Sequence, residues 1–326
     1  MAAVGCRQLR SWSRRTLLSA AALGAASGAL ARVASAAPER PFFKRVNLPI
    51  GLELYTVAKE VAADLDGTFA RVAQIGYRQV EVSGYYGHTP AELRAACDRY
   101  GLACRSMHVQ GQPARNPADA SFTELAKLID DAKTLGVKYV VLPMAPLRLD
   151  FRSSSLTMES FMAAVGSLTA DDWKACAALL NEKGEQLMRA GLQIGYHNHN
   201  FEFKPLGNTT PYEILMEGTH PSIVTFELDV GWVASAGLDP VELLRRHRGR
   251  FALMHVKDLK SSTKPNYVVQ TDPADTGAGM LDWGKLLPTA YDAGVRNFIV
   301  EQEPPFPVGA LVSVENGYRF LSQLKA

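Results

Sequence analysis

The feature that most constrains this chain is a repeated unit: a short apolar run, then an amphipathic stretch, often closed by a glycine before the next run. Eight apolar runs recur, at 50–55, 79–83, 103–109, 139–143, 193–199, 224–230, 252–257 and 297–302. They are short, rich in Val, Ile and Leu, and lack a polar face, as strands covered on both sides do. The stretches between them, such as DGTFARVAQIGY, TPAELRAACDRYG and DPVELLRRHRG, carry apolar residues at helical spacing. Gly76, Gly101, Gly136, Gly191 and Gly294 stand where such helices end, and Thr89-Pro90 and Asp239-Pro240 stand where helices begin. Eight strand–helix units predict an α/β fold, a closed (β/α)8 TIM barrel forming one domain over residues 47–326. An open doubly wound sheet is disfavoured, because no glycine fingerprint for a nucleotide phosphate follows the first strand.

Residues 1–36 stand apart from this pattern. Ser13-Arg14-Arg15-Thr16-Leu17-Leu18 precedes a small-residue apolar stretch and then Ala34-Ser35-Ala36. The paired arginines and A-x-A site resemble a twin-arginine export signal, which predicts a periplasmic or secreted mature protein. Residues 37–46 read as a linker. The segment is too short and too rich in Ala and Gly to make a good spanning helix, so no stable membrane anchor is expected once it is removed.

Charge then bears on partners. The whole chain carries a formal +2, but all five basic residues of the first 36 are arginines unaccompanied by acids. The remainder has 30 basic and 33 acidic residues, a formal −3. That balance gives no net attraction to phosphate backbones and argues against nucleic acid as a partner. Beyond Cys6, the three scattered cysteines Cys97, Cys104 and Cys176 make no disulfide framework and read as packing residues. Two connections are long, 144–170 after the fourth strand and 260–282 after the seventh; loops of that length are often lids or binding elements.

In a parallel barrel the reactive residues gather at the C-terminal ends of the strands. Here they concentrate in the second half: His197-Asn198-His199 ends the fifth strand and Glu227-Leu228-Asp229-Val230-Gly231-Trp232 the sixth. His255-Val256-Lys257-Asp258 ends the seventh and Glu301-Gln302-Glu303 the eighth. Carboxylates and imidazoles converging from four adjacent strands form a mixed N/O donor set. Such a set suits one divalent ion, Mn, Co, Zn, Fe or Mg. Tyr55, Glu81 and His108 end the first three strands and are candidate pocket residues, with Trp232 as a stacking surface for a sugar ring.

In the order GLELYTV, GYRQVEVSGYYG, GYHNHNFEF, ELDVGW, HVKD and VEQE, these motifs resemble the xylose-isomerase-like barrel superfamily. It comprises sugar phosphate isomerases, epimerases and related lyases, and also the endonuclease IV barrels. The resemblance implies a metal held by one ligand from each of strands five to eight, commonly Glu, Asp, His and Glu. On this chain those positions are His197, Asp229, His255 and Glu301, with His197 where many relatives have glutamate. It further implies a small-molecule carbohydrate substrate and an isomerase or epimerase that abstracts a proton beside a metal-bound carbonyl/hydroxyl pair. Glu301 or His199 is then the base, Lys257 the group facing the developing oxyanion, and Asp258 a carboxylate toward substrate or beside His255 and Lys257. Replacing one of two glutamates by histidine weakens a symmetrical two-base epimerisation. Inositol-ketone dehydratases share a histidine-rich fifth strand, so β-elimination on a keto-sugar, a keto-inositol or a 3-keto-glycoside is the alternative. A three-zinc nuclease site is disfavoured by Trp232, where relatives that bind several metals have histidine. A non-catalytic sugar-binding barrel is the other class, and the sequence leaves a homo-oligomer open.

Overall fold

The eight apolar runs form eight parallel strands: β1 Ile50–Glu53, β2 Gln79–Val82, β3 Ala103–His108, β4 Tyr139–Leu142, β5 Gln193–His197, β6 Val224–Asp229, β7 Phe251–Val256 and β8 Asn297–Val300. Each pairs with its neighbours in chain order, and β8 returns to β1 with Ile50 opposite Phe298, closing the barrel. The computed structural model describes residues 40–326 except 115, 117, 148 and 150–155. The export signal expected over 1–36 lies outside the described residues. Among those residues, no helix is long and apolar enough to cross a membrane.

Helix boundaries follow the local chemistry read from the sequence. Thr89 caps Pro90–Tyr100 in a capping box with Glu92, and Asp239 accepts from the Val241 N–H ahead of Pro240–Arg246. Gly101 and Gly136 close their helices in the left-handed conformation, at φ 66° and 75°, which a side chain would resist. The three cysteines are free and buried, as packing residues.

The expected linker over 37–46 needs correction. Phe42–Val46 is a helix whose Phe42 and Phe43 are buried edge-on against Phe298, with ring centroids 5.9 and 5.5 Å away. Two adjacent phenylalanines bury too much apolar surface to remain in a solvated tether. The 144–170 connection contains its own helix, Met158–Gly166. The 260–282 connection begins and is pinned by a two-stranded ribbon, Asp258–Leu259 against Pro273–Ala274.

Register decides which side chains meet. It sets Glu53 beside Glu81, His197 beside Glu227, and Asp229 beside His255. Two register shifts, each admitting one extra residue, occur immediately before Glu81 (Arg105 on β3) and before Glu227 (Ala252 on β7). Such bulges re-aim the residues that follow them.

Candidate active site

The strand ends enclose a cavity of about 490 Å3, lined by Glu53, Tyr55, His108, His197, His199, Trp232, Glu301 and Glu303 among others. Beneath and around it lies a continuous ionisable network centred on His255, which is wholly buried. Its Nδ1 meets Glu301 Oε2 at 2.8 Å and stands 3.8 Å from Asp229 Oδ2. Its Nε2 meets Glu81 Oε1 at 2.6 Å and Glu227 Oε2 at 3.2 Å. His108 Nε2 lies 2.7 Å from Glu227 Oε2 and 3.2 Å from Glu81 Oε1, and His197 Nδ1 lies 3.1 Å from that same Glu227 oxygen.

Protonation follows from these contacts. Burial opposes charge on His255, yet the Glu227 and Glu301 carboxylates outweigh it and hold the imidazole well above its usual range. His108 is raised in the same way by Glu81 and Glu227. Burial alone would raise Glu81, but the His108 charge and the hydrogen bonds from His108 and His255 take it well below the ordinary carboxylate value. Burial, then the Glu81 charge, raises Glu53 well above that value and Glu227 to about 7. His197 and His199 are the opposite case. Burial and the neighbouring positive groups keep both neutral, His199 down at about 3 with Lys257 as its main charged neighbour.

Lys257 is almost fully buried, with its ammonium 2.6 Å from Glu301, 2.9 Å from Asp229 and 3.1 Å from Glu303, and 4.8 Å from the centre of the Trp232 ring. Burial works against its charge, but Asp229, Glu301 and Glu303 hold it well above the normal lysine value. Gly231 explains how the stem gets there: a Cβ at that position would fall 2.8 Å from Lys257 Cγ. Glu301 is depressed far below the ordinary carboxylate value because Lys257 and His255 outweigh its burial.

The HNH segment divides its work by position. His197 points into the network. Asn198 bonds both main-chain groups of Asp229, its Oδ1 accepting from the N–H at 3.1 Å and its Nδ2 donating to the C=O at 3.2 Å, which fixes the end of β6. His199 lies past the strand, its ring stacked on Phe201 at 5.4 Å, and its buried Nδ1 has no hydrogen-bond partner. Its backbone N–H donates to Glu202 Oε2 at 2.8 Å, and Tyr196 Oη donates to Glu202 Oε1 at 2.8 Å. Glu202, fully buried, is pushed up to about 8 by that burial.

A divalent ion requires donor atoms converging about 2.0–2.3 Å from one point. Asp229, His255 and Glu301 come near that arrangement, with ligand atoms within 4.8 Å of one another, and Asp229 Oδ2 receives no aligned hydrogen bond. Three of the four expected ligands therefore gather. The fourth, His197, approaches Asp229 Oδ2 with Nε2 at 3.9 Å and belongs to a neighbouring donor group with His108, Glu227 and His255. A third group joins Glu53, Glu81, His108 and His255; His199 is in none of the three. The donor chemistry fits a divalent ion, with the Lys257 ammonium as a competing cation at the same carboxylates.

Tyr55, His108 and Trp232 line the cavity as expected, and Glu81 lies beneath it. Tyr55 sits in the turn Leu54–Val57 rather than in β1, its hydroxyl pushed up to about 12 mainly by the Glu303 charge. Asp258 is a correction. It faces neither substrate nor His255, because its position beside Lys257 on the chain turns it to the other side of the backbone. Its carboxylate accepts from the N–H groups of Leu259, Gly277, Gly279 and Leu281 and from Trp283 Nε1, at 2.8–3.2 Å. The glycines at 277 and 279 thus cradle a side-chain carboxylate, and a Cβ on Gly279 would collide with it. Glu53, which the strand-end reading passed over, and Glu227, which it named without a role, are members of the site. For Glu227 the available signal was spacing: it precedes Asp229 by two residues in the same strand, the period that keeps strand residues on one face.

Residues 69–319 match the model of the xylose isomerase-like TIM barrel family, and the chain belongs to that family. Among curated relatives, it is 23% identical to an inosose dehydratase of Geobacillus kaustophilus over 205 residues. That match covers 60% of this chain and 62% of the relative, so the chain spans under two thirds of the relative's length. Among solved structures, a sugar phosphate isomerase/epimerase from Parabacteroides distasonis superposes with a TM-score of 0.64 at 24% identity, covering 89% of this chain and 96% of that one. The IolI protein, solved with a zinc atom, superposes with a TM-score of 0.58 at 16% identity, covering 84% and 98%. At these identities the structures establish the fold.

Proposed function

We propose that this protein is a lyase that eliminates across a polyhydroxylated cyclic ketone, a keto-sugar or keto-cyclitol, by removing the proton next to the carbonyl. One observation carries this reading: the two sides of the cavity offer unlike groups. An epimerase needs a base on each face, each able to take or return a proton. Here the β5 side presents His199, a neutral imidazole that lines the cavity, while the β8 side presents Glu301, ionised and held by Lys257 and His255 at 2.6 and 2.8 Å. A base on one side and, on the other, a carboxylate that cannot release a proton but is tied to the Lys257 ammonium, which can, suits elimination.

His199 takes the α-proton, and the enolate charge that forms strengthens it as a base. The Lys257 ammonium, itself almost fully buried and so little screened by water, faces that charge, where such stabilisation is strong. As the β C–O bond breaks, its electron pair leaves with the oxygen and Lys257 supplies the proton that makes water; solvent then resets both residues. Asp229, His255 and Glu301, with His197 nearest as a fourth, would hold a divalent ion. When bound, that ion polarises the ketone and acidifies the neighbouring C–H. The inosose dehydratase relative supports the lyase reading. The isomerase/epimerase reading rests on the second carboxylate near Glu301, Glu303, which also lines the cavity.

Incubation with an inosose in D2O, followed by NMR and enone absorbance, tests this. Elimination yields an unsaturated ketone; epimer formation with deuterium incorporation and no enone overturns it. The site of action outside the cytoplasm is part of the proposal and rests on Arg14-Arg15 and Ala34-Ser35-Ala36. Fractionation of cells expressing the full chain and its double Arg14→Lys, Arg15→Lys variant tests it.

A further inference from the structure

Next to the cavity that holds the ionisable groups lies a second one of about 360 Å3 whose lining is more strongly apolar. Met162, Leu168, Trp173, Phe201, Tyr267 and Val268 are among its walls, and Lys204 is the one charged residue among the described residues that line it. The two cavities share three borders. Met158 lines the first and Met162 the second, one turn apart on the same face of one helix. Val269 lines the first and Val268 the second, adjacent in the chain. Phe201 lines the second and stacks on His199, which lines the first.

The valine border is a built feature. Val269 has φ 53°, a left-handed conformation that a β-branched residue resists. It is held there by side chains: the Val269 N–H donates to Asn200 Oδ1 at 3.1 Å and the Val268 N–H to Asn266 Oδ1 at 3.0 Å. Asn200 Nδ2 in turn donates to Asn266 Oδ1 at 2.9 Å, and Asn266 Nδ2 donates to Gln270 O at 2.9 Å. Asn200 is fully buried and comes from the same HNHN segment that carries the proposed base. Strain maintained by a dedicated hydrogen-bond clamp is characteristic of sites that shape a ligand. The result is that one valine faces the first cavity and the next, about half exposed, faces the second.

We infer that the second cavity is a subsite for an apolar, aromatic-sized substituent on the sugar ring held in the first, so that the substrate class is an aryl glycoside of a keto-sugar rather than a bare ring. The inference deepens the proposed function by naming what the sugar carries. A cavity of this size and lining matches those that enclose small apolar groups, and the substituent's transfer from water supplies affinity that a methyl group lacks.

The test is calorimetric binding of 4-nitrophenyl β-D-glucoside and methyl β-D-glucoside, neither of which has a ketone to react. The aryl glycoside is expected to bind at least about tenfold more tightly. In Val268→Asp and, separately, Met162→Gln, that ratio is expected to fall towards one. Val268 is a surface loop position, so the first variant tests the cleft without burdening the core. Equal affinities in the unmodified protein, or an aryl preference that survives both substitutions, overturns the inference. Binding is read without turnover: a protein that prefers aryl glycosides but releases no enone keeps this subsite and loses the elimination reading.

Discussion

Replacing Glu202 by Gln isolates one buried proton. The carboxyl is fully buried, and burial raises it from 4.5 to about 8. Between those values the folded protein retains a proton that the unfolded chain has released. Stability therefore falls as pH rises through this window, by up to about 1.36 kcal/mol per pH unit. Integrated between pH 5 and pH 7, this one group costs the wild type about 2.5 kcal/mol. Glutamine keeps an oxygen for the His199 N–H and an amide that can donate to Tyr196 Oη, so the contacts survive while the titration disappears. Urea unfolding of both proteins at pH 5, 6 and 7 is the assay. The stability difference, variant minus wild type, should grow by about 2.5 kcal/mol across that range. Other shifted groups in the site are common to both proteins and cancel in the comparison. Parallel stability profiles would refute the reasoning, by showing that Glu202 is ionised in the folded state at pH 7.

His199→Asn should lower turnover and α-proton exchange by about 10²–10⁴-fold, with an unchanged melting temperature, read by NMR in D2O beside a thermal scan. Dialysis against a chelator should abolish exchange and restoration of a divalent ion should recover it, while Asp229→Asn should bind the ion at least about tenfold more weakly by equilibrium dialysis with elemental analysis. Asp258→Asn places an amide against N–H groups that now share an acceptor, so it should destabilise the fold by about 2–4 kcal/mol. Urea unfolding checks this, and a catalytic loss without a stability loss would restore Asp258 to the site.

The barrel was legible in the sequence because strand and helix periods are local. Eight apolar runs with capped helices between them admit few closed arrangements, and the runs match the observed strands to within a few residues. Asp229, His255, Glu301, His108 and Trp232 were legible for the same reason: once the runs are strands, their C-terminal ends are known to meet. The family's fold follows from the same pattern.

What the sequence could not decide depends on register and on the direction of single side chains. The two extra residues at Arg105 and Ala252 offset neighbouring strands, and only with that offset do Glu81, Glu227, His108 and His255 close on one another. Lys257 and Asp258 are adjacent in the chain, yet one enters the barrel and the other leaves it, since successive side chains on an extended backbone point to opposite sides. The sequence by itself determined the eight-fold alternation and the ring of strand ends. The tertiary structure decided which carboxylate lies against which imidazole, because those distances are set across strands by hydrogen-bonded register, and no residue's own neighbours in the chain encode it.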